Sequence, residues 1–164
     1  MAMNKSIVET LNRNINLEFY SGYLYLSLAA YCESINLSGF AHWLQIQSRE
    51  ENEHAMRLFH FVNDREERVM LLPIDQPPVE FQSVLDVMQN ALDHERQVTE
   101  MIHRAYALAI KEEDYPTQVH LQWFITEQVE DEKKVYEIIE QLKMIGNQDD
   151  ALLLLDRQLA ERTN

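Results

Sequence analysis

Apolar residues recur along this chain in alternating steps of three and four, over four long stretches. The first stretch carries Val8, Leu11, Ile15, Glu18, Gly22, Tyr25, Ala29 and Cys32; the second carries Phe40, Leu44, Gln47, Glu51, His54, Leu58 and Phe61. The third runs Phe81, Leu85, Met88, Leu92, Glu95, Thr99, Ile102, Tyr106, Ala109, and the fourth Leu121, Phe124, Gln128, Asp131, Val135, Ile138, Leu142, Ile145. Such spacing sets each series on one helical stripe facing partner helices. Every stripe is broken at mid-length by polar groups, so the breaks share one layer of the assembled bundle. A buried, unpaired carboxylate costs several kcal/mol, and three Glu, an Asp and a His in one core layer require charge of opposite sign among them. A pair of metal ions is the simplest source.

The punctuation between the stripes predicts an all-α four-helix bundle over about residues 6–146. Ser6 and Glu9 have capping-box spacing, which starts the first helix near Ser6 and ends it before Asn36. The second helix is expected from about Ser38 to Asp64, antiparallel to the first because only a few residues join them. Pro73, Pro77 and Pro78 mark the next segment as non-helical. It is long enough when extended to cross most of a bundle, so the second and third helices should run the same way. The third helix is expected from about Glu80 to Glu112. The fourth runs from near Pro116, suited to a first turn, to Ile145, with Gly146 as its stop. A short fifth helix, about 149–162, carries Leu152, Leu153, Leu154, Leu155 and Leu159. Four consecutive leucines cannot share one helix face, so this helix is either surrounded by other subunits or packed loosely back on the bundle.

Composition narrows the function. One domain is the expectation for 164 residues with no internal shift of composition, and three Gly and four Pro leave little for a sheet. A net charge of −14 disfavours nucleic acid or an anionic membrane as partner and attracts cations. The single cysteine, Cys32, excludes an internal disulfide and any CxxC module. Neither a leader-like apolar run nor a membrane-length one is present, so a soluble cytoplasmic protein is expected.

The polar breaks also show an internal repeat. Glu18 precedes Glu51 by 33 residues, as Glu95 precedes Gln128; three residues further on stand His54 and Asp131. Each hairpin thus supplies one carboxylate from its first helix and an i, i+3 pair from its second, the arrangement of a dinuclear carboxylate site on a pseudo-twofold axis. Oxygen ligands with one imidazole exclude a thiolate zinc site and suit iron or manganese. Glu18, Glu51 and His54 are assigned to one ion and Glu51 with Glu95 to the other. Gln128 and Asp131 close the second site more weakly, a neutral amide and a short carboxylate. Tyr25, two turns after Glu18, is either a donor to a metal-bound group or a core tyrosine bonded to a carboxylate. Glu50, Glu127 and Glu130 are either a solvated acidic face or an accessory cation site. Trp123 reads as packing, and His42, His60, His94, His103 and His120 as surface or hydrogen-bonded residues.

These residues carry a family resemblance over essentially the whole chain. NLEFYSGYLY around Glu18, SREENEHA around Glu51 and His54, DHERQ around Glu95, DYPT before the fourth helix and HLQWFITEQVEDE around Gln128 resemble the haem-free prokaryotic ferritins. The resemblance implies a ferritin-like bundle whose ferroxidase centre has Glu18, Glu51, His54, Glu95 and Gln128 at ligand positions, with Tyr25 beside it. It implies a third iron site at Glu50, Glu127 and Glu130. It further implies a homo-oligomeric shell of 24 subunits that oxidises Fe(II) with oxygen or hydrogen peroxide and stores a ferric oxyhydroxide mineral. Bacterioferritins, the haem-carrying relatives, have a second Glu-x-x-His and a methionine after the bridging Glu; here stand Gln128 with Asp131, and Asn52. Haem binding of that kind is not expected. The alternatives are another di-iron carboxylate oxidase or peroxidase of the same superfamily, or a haem-binding bacterioferritin-like protein.

Overall fold

Each heptad stretch forms one long helix in the computed structural model, which describes residues 2–164. In chain order these are α1 (Lys5–Ser34), α2 (Ser38–Asp64), α3 (Val84–Lys111) and α4 (Tyr115–Ile145), followed by a short α5 (Asp149–Leu159). No strand occurs among the described residues, and no helix is long and apolar enough to cross a membrane.

Capping sets the ends, and two starts differ from expectation. Asn4, not Ser6, caps α1: its side chain accepts the Ser6 N–H at 2.9 Å and the Ser6 hydroxyl at 2.8 Å, drawing Ser6 into the first turn. The third helix begins at Val84 rather than near Glu80. Ser83 accepts the Asp86 N–H at 3.1 Å while the Asp86 carboxylate accepts the Gln82 N–H at 3.0 Å, a reciprocal cap that fixes the start. Asp114 caps α4 through the Thr117 N–H at 3.0 Å, with Pro116 in the first turn. Gly146 ends α4 at φ +58°, a left-handed conformation that suits glycine.

Side-chain pairings give the directions. Glu18 faces His54 and Gly22 faces Ser48, so α1 and α2 are antiparallel. On α3 and α4, Glu95 meets Gln128 and Tyr106 meets Gln122, again in opposite order. Between α2 and α4, Phe61 stacks on His120 at 4.0 Å and Arg65 reaches Asp114, also antiparallel. Helices α2 and α3 therefore run the same way. The segment joining them climbs α1: Met70 N–H donates to Asn12, Asn16 donates to the carbonyls of Leu72 and Pro73, Ser27 donates to the carbonyl of Pro78, and Phe81 packs edge-on against Tyr31.

The apolar interior falls into two separate clusters. One end of the bundle packs Met3, Ile7, Leu11, Ile15, Leu58, Val62, Ile102, Leu121 and Phe124. The other packs Leu24, Tyr25, Leu28, Phe40, Leu44, Met88, Val135 and Leu142, together with Leu155 and Leu159 of α5. Between them the heptad breaks are fully buried: Glu18, Gln47, Glu51, His54, Glu95, Gln128 and Asp131.

Helix α5 lies back on α2. Its Asp156 side chain accepts the Phe40 N–H at 2.9 Å, capping from outside a helix start that has no side-chain cap of its own. A glycine is needed there, because a Cβ on Gly39 would stand 1.7 Å from the Asp156 carbonyl oxygen. Leu155 and Leu159 face the core, whereas Leu153 and Leu154 are 48% and 66% exposed. The helix ends at Leu159, short of the expected 162, and the following residues turn Arg162 toward α2.

Two predictions follow from these tertiary staples. Arg65 donates to both carboxylate oxygens of Asp114 at 2.9 and 3.2 Å, joining the end of α2 to the start of α4. Burial raises the Asp114 pKa, but the hydrogen bonds from Arg65 and Thr117 outweigh it, and the net shift is downward from 3.8. A depressed carboxyl stabilises the fold above its unfolded pKa, and that contribution fades as pH falls through the folded value. Asp114→Asn keeps the cap and loses the ion pair, so we expect a loss of about 2 kcal/mol near neutrality, a melting point lower by about 5 °C, and a difference from wild type that shrinks in acid below about pH 4. Gly39→Ala should displace α5, read as several-fold faster tryptic cleavage at Arg157 and Arg162; unchanged cleavage would show that α5 tolerates the clash.

Candidate metal centre

The centre is built from the mid-points of all four long helices, where each stripe turns polar. Three groups of donor atoms converge there: Glu18 with Glu51 and His54; Glu51 with Glu95 and Asp131; and His54 with Glu127 and Asp131, the donors of each group within 4.8 Å of one another. Glu51 belongs to the first two groups and so stands between the two hairpins' contributions. His54 Nδ1 lies 3.2 Å from Glu51 Oε2 and 3.7 Å from Glu18 Oε2, and its Nε2 lies 3.9 Å from Glu127.

Hydrogen bonds engage both oxygens of Glu95 and one of Glu51, and leave Glu18 and Asp131 with none. Tyr25 donates to Glu95 Oε1 at 2.7 Å, and Gln128 Nε2 faces Glu95 Oε2, the Glu95 carbonyl and the Thr99 hydroxyl, each at 3.1 Å. With its nitrogen so engaged, Gln128 turns its carbonyl oxygen inward. Gln47 donates to Glu51 Oε1 at 2.8 Å. Most of the buried side-chain atoms without a hydrogen-bond partner gather in this layer: Glu18 Oε1 and Oε2, Glu51 Oε2, His54 Nδ1, Gln128 Oε1 and both oxygens of Asp131; the others are on Asn14, Glu50 and His120. Buried polar atoms are nearly always satisfied, so such a concentration of lone pairs marks the space between them as a cation site. Oxygen and imidazole donors without thiolate fit iron.

The electrostatics agree with the geometry. Burial raises the pKa of Glu18, an effect opposed by its contacts with His54. Burial and neighbouring carboxylates bring Glu51 and Asp131 up to about 7 and Glu95 well above 4.5. His54 is disfavoured as a cation by burial, yet its close approach to the Glu18 and Glu51 carboxylates prevails and carries it up to about 11. Four carboxylates thus share one imidazolium and take up protons. A divalent cation entering this layer displaces those protons, because ligands bind deprotonated. Tyr25 is held well above 10 by burial and then by Glu95 and Glu51, so its phenol keeps its proton on Glu95.

The accessory acids separate. Glu127 joins His54 and Asp131, whereas Glu50 and Glu130 belong to none of the three donor groups among the described residues. Glu130 is exposed, and Glu50 is ion-paired with Arg162 at 3.0 Å. Trp123, read from sequence as packing, stands edge-on to His54 at 5.3 Å between centroids, with the Arg57 guanidinium 3.9 Å over its ring. A cleft of about 600 Å³ between α2 and α4, lined by Glu50, Glu53, His54, Arg57, Trp123 and Glu127 among others, gives access to this side of the centre. His94 bonds the Ser21 hydroxyl at 2.6 Å and burial lowers its pKa to about 4; it stays outside the donor groups. Two participants escaped the sequence reading. Gln47 had a legible signal, four residues before Glu51 on the same stripe. Arg162 had none, since only the return of the chain end brings it here.

Known proteins share both the fold and the chain. A bacterial non-heme ferritin of Staphylococcus saprophyticus is 35% identical over 161 residues, covering 98% of this chain and 96% of the relative. One from Staphylococcus aureus is 32% identical over 98% and 97% of the two chains. An open pore ferritin from the hyperthermophilic archaeon Archaeoglobus fulgidus superposes with a TM-score of 0.98 at 44% identity, over 99% of this chain and 100% of the other. The ferritin family model, described as a ferritin-like domain, matches residues 8–145, and the chain belongs to the ferritin family.

Proposed function

We propose that this chain stores iron, oxidising Fe(II) at the four-helix centre and depositing the ferric product as an oxyhydroxide mineral inside a homo-oligomeric shell of 24 subunits. The observation that carries the reading is the set of buried, unpartnered donor atoms on Glu18, Glu51, His54, Gln128 and Asp131 at the break between two apolar cores. Glu18, Glu51 and His54 hold one Fe(II) substrate; Glu51, Glu95 and Gln128, with Asp131, hold the second. The neutral amide and shorter carboxylate make the second hold weaker. Glu127 and His54 face the α2–α4 cleft, with Asp131 within reach behind them, and iron passes out of the pair on this side.

Two Fe(II) ions supply one electron each; dioxygen takes both with two protons and leaves as hydrogen peroxide, or hydrogen peroxide takes them with two protons and leaves as two waters. The residues contribute placement and charge. Glu51, shared by both donor groups, fixes the separation of the two substrates, and the excess carboxylate favours the more highly charged ferric product. Tyr25 keeps Glu95 oriented through its hydroxyl and stands ready to donate to a group bound beside it. The hydrophobic layers on either side exclude bulk water, which strengthens these interactions.

Aerobic addition of Fe(II) tests the proposal. Wild-type protein should oxidise it rapidly as a particle near 24 times the 19.4 kDa subunit mass, while Glu51→Ala should assemble equally and oxidise more than about 100-fold more slowly. A small particle, or unchanged kinetics in the variant, would overturn it.

A further inference from the structure

The chain end comes back to the centre. After α5, Arg162 lies against α2 with its side chain only 9% exposed. Its guanidinium donates to the Trp43 carbonyl at 3.1 Å and to Gln47 Oε1 at 3.1 Å, pairs with Glu50 at 3.0 Å, and sits 4.4 Å over the Trp43 ring. The backbone carbonyl of Arg162 is bonded by His42 Nε2 at 2.7 Å. Gln47 in turn is 1% exposed and donates to Glu51 Oε1 at 2.8 Å. Three residues thus form one directed line, from the tail through the amide to the carboxylate shared by both donor groups.

The chemistry of the guanidinium gives the line its direction. Arginine carries donors and no acceptor, so the Gln47 atom facing it must be the oxygen. The amide nitrogen is then turned to Glu51, where it occupies Oε1 and leaves Oε2 unpartnered toward His54 and Glu18. A planar fork also reaches two acceptors at once, the Trp43 carbonyl and the Gln47 oxygen, which fixes the amide relative to the α2 backbone. Partners of this kind orient metal ligands and tune how strongly they bind.

We propose that Arg162 is a positioning residue for the metal centre, acting through Gln47 to set the orientation of Glu51. The proposal rests on the reading of Glu51 as the shared ligand. It gives the C-terminal segment a task beyond packing, since the tail that follows α5 holds Gln47, the hydrogen-bond donor to a ligand on α2. A merely structural anchor would make the same contacts to Trp43 and would not act by way of Gln47.

Co(II) binding to the assembled, metal-free protein distinguishes the two, with affinity and visible absorption bands as readouts. Gln47→Leu should weaken the tighter Co(II) step about 10-fold or more and alter the bands. Arg162→Met, which keeps a stem against Trp43, should produce a smaller loss in the same direction, about 3- to 10-fold, with particle size retained. In the double variant the Arg162 change should add nothing to Gln47→Leu. Equal losses from Arg162→Met in both backgrounds, or no effect on wild type, would overturn the proposal. Should Arg162→Met not assemble, Arg162→Lys is read the same way, because an ammonium lacks the fork that spans both acceptors. Glu51→Ala is measured alongside: Co(II) binding indifferent to that change would remove the reading of Glu51 itself, whereas binding lost there and untouched by Arg162 would remove only the role of the tail.

Discussion

Buried negative charge that the protein does not balance is the constraint around which this fold is organised. Glu18, Glu51, Glu95 and Asp131 occupy one layer with His54 as the cationic partner inside it, and the nearest lysine, Lys134, reaches Asp131 from the rim at 3.7 Å. Replacing the layer with apolar residues would join the two hydrophobic clusters into one core. Retaining it raises the carboxylate pKa values and keeps lone pairs unsatisfied. Such a layer persists only if the apolar packing at both ends holds it in place. The length of the helices follows from that need, since each must run far enough on either side of the break to pack a full cluster.

The pseudo-symmetry of the two hairpins has a chemical purpose in its imperfection. In the first hairpin the i, i+3 pair is Glu51 and His54, both with donor atoms open to the interior. In the second it is Gln128 and Asp131, and Gln128 spends its amide nitrogen on Glu95 and Thr99. One half therefore offers a carboxylate and an imidazole, the other a neutral carbonyl and a carboxylate partly drawn toward Lys134. Equal sites would bind two cations alike. Unequal sites would order them, and the α2–α4 cleft meets the centre at His54 and Glu127.

The parts of this structure legible in the sequence are those fixed by local periodicity. Heptads gave α1 to α4 their faces, and because Glu18, Glu51, His54, Glu95, Gln128 and Asp131 interrupt those faces, their meeting follows from packing alone. Boundaries set by competition between neighbouring caps were less legible: Asn4 against Ser6 at α1, and Ser83 with Asp86 against the earlier Glu80 at α3. Contacts across large sequence separation left no trace in any pattern. Arg65 with Asp114, Gly39 beneath Asp156, and the climb of the crossover along α1 each pair residues that periodicity treats as unrelated. The pairing of Glu50 with Arg162 is of this kind, because only the returning chain end brings the arginine to it.

The fifth helix shows how one short element can serve two ends. Sequence allowed it to be surrounded by other subunits or laid back on the bundle, and the subunit itself does the second, with Leu155, Asp156 and Leu159 turned to α2 and the core. Leu153 and Leu154 still face outward, an apolar pair that a monomer gains nothing by exposing and that neighbouring subunits of a shell would cover. The inward contacts fix α5 to Gly39 and Phe40 at the start of α2, and Arg162 beyond it reaches Glu50, one residue before Glu51. Packing on the outward leucines would therefore bear on the helix that carries Glu51, and under the proposed function assembly and metal binding would meet on a single element rather than through the loops.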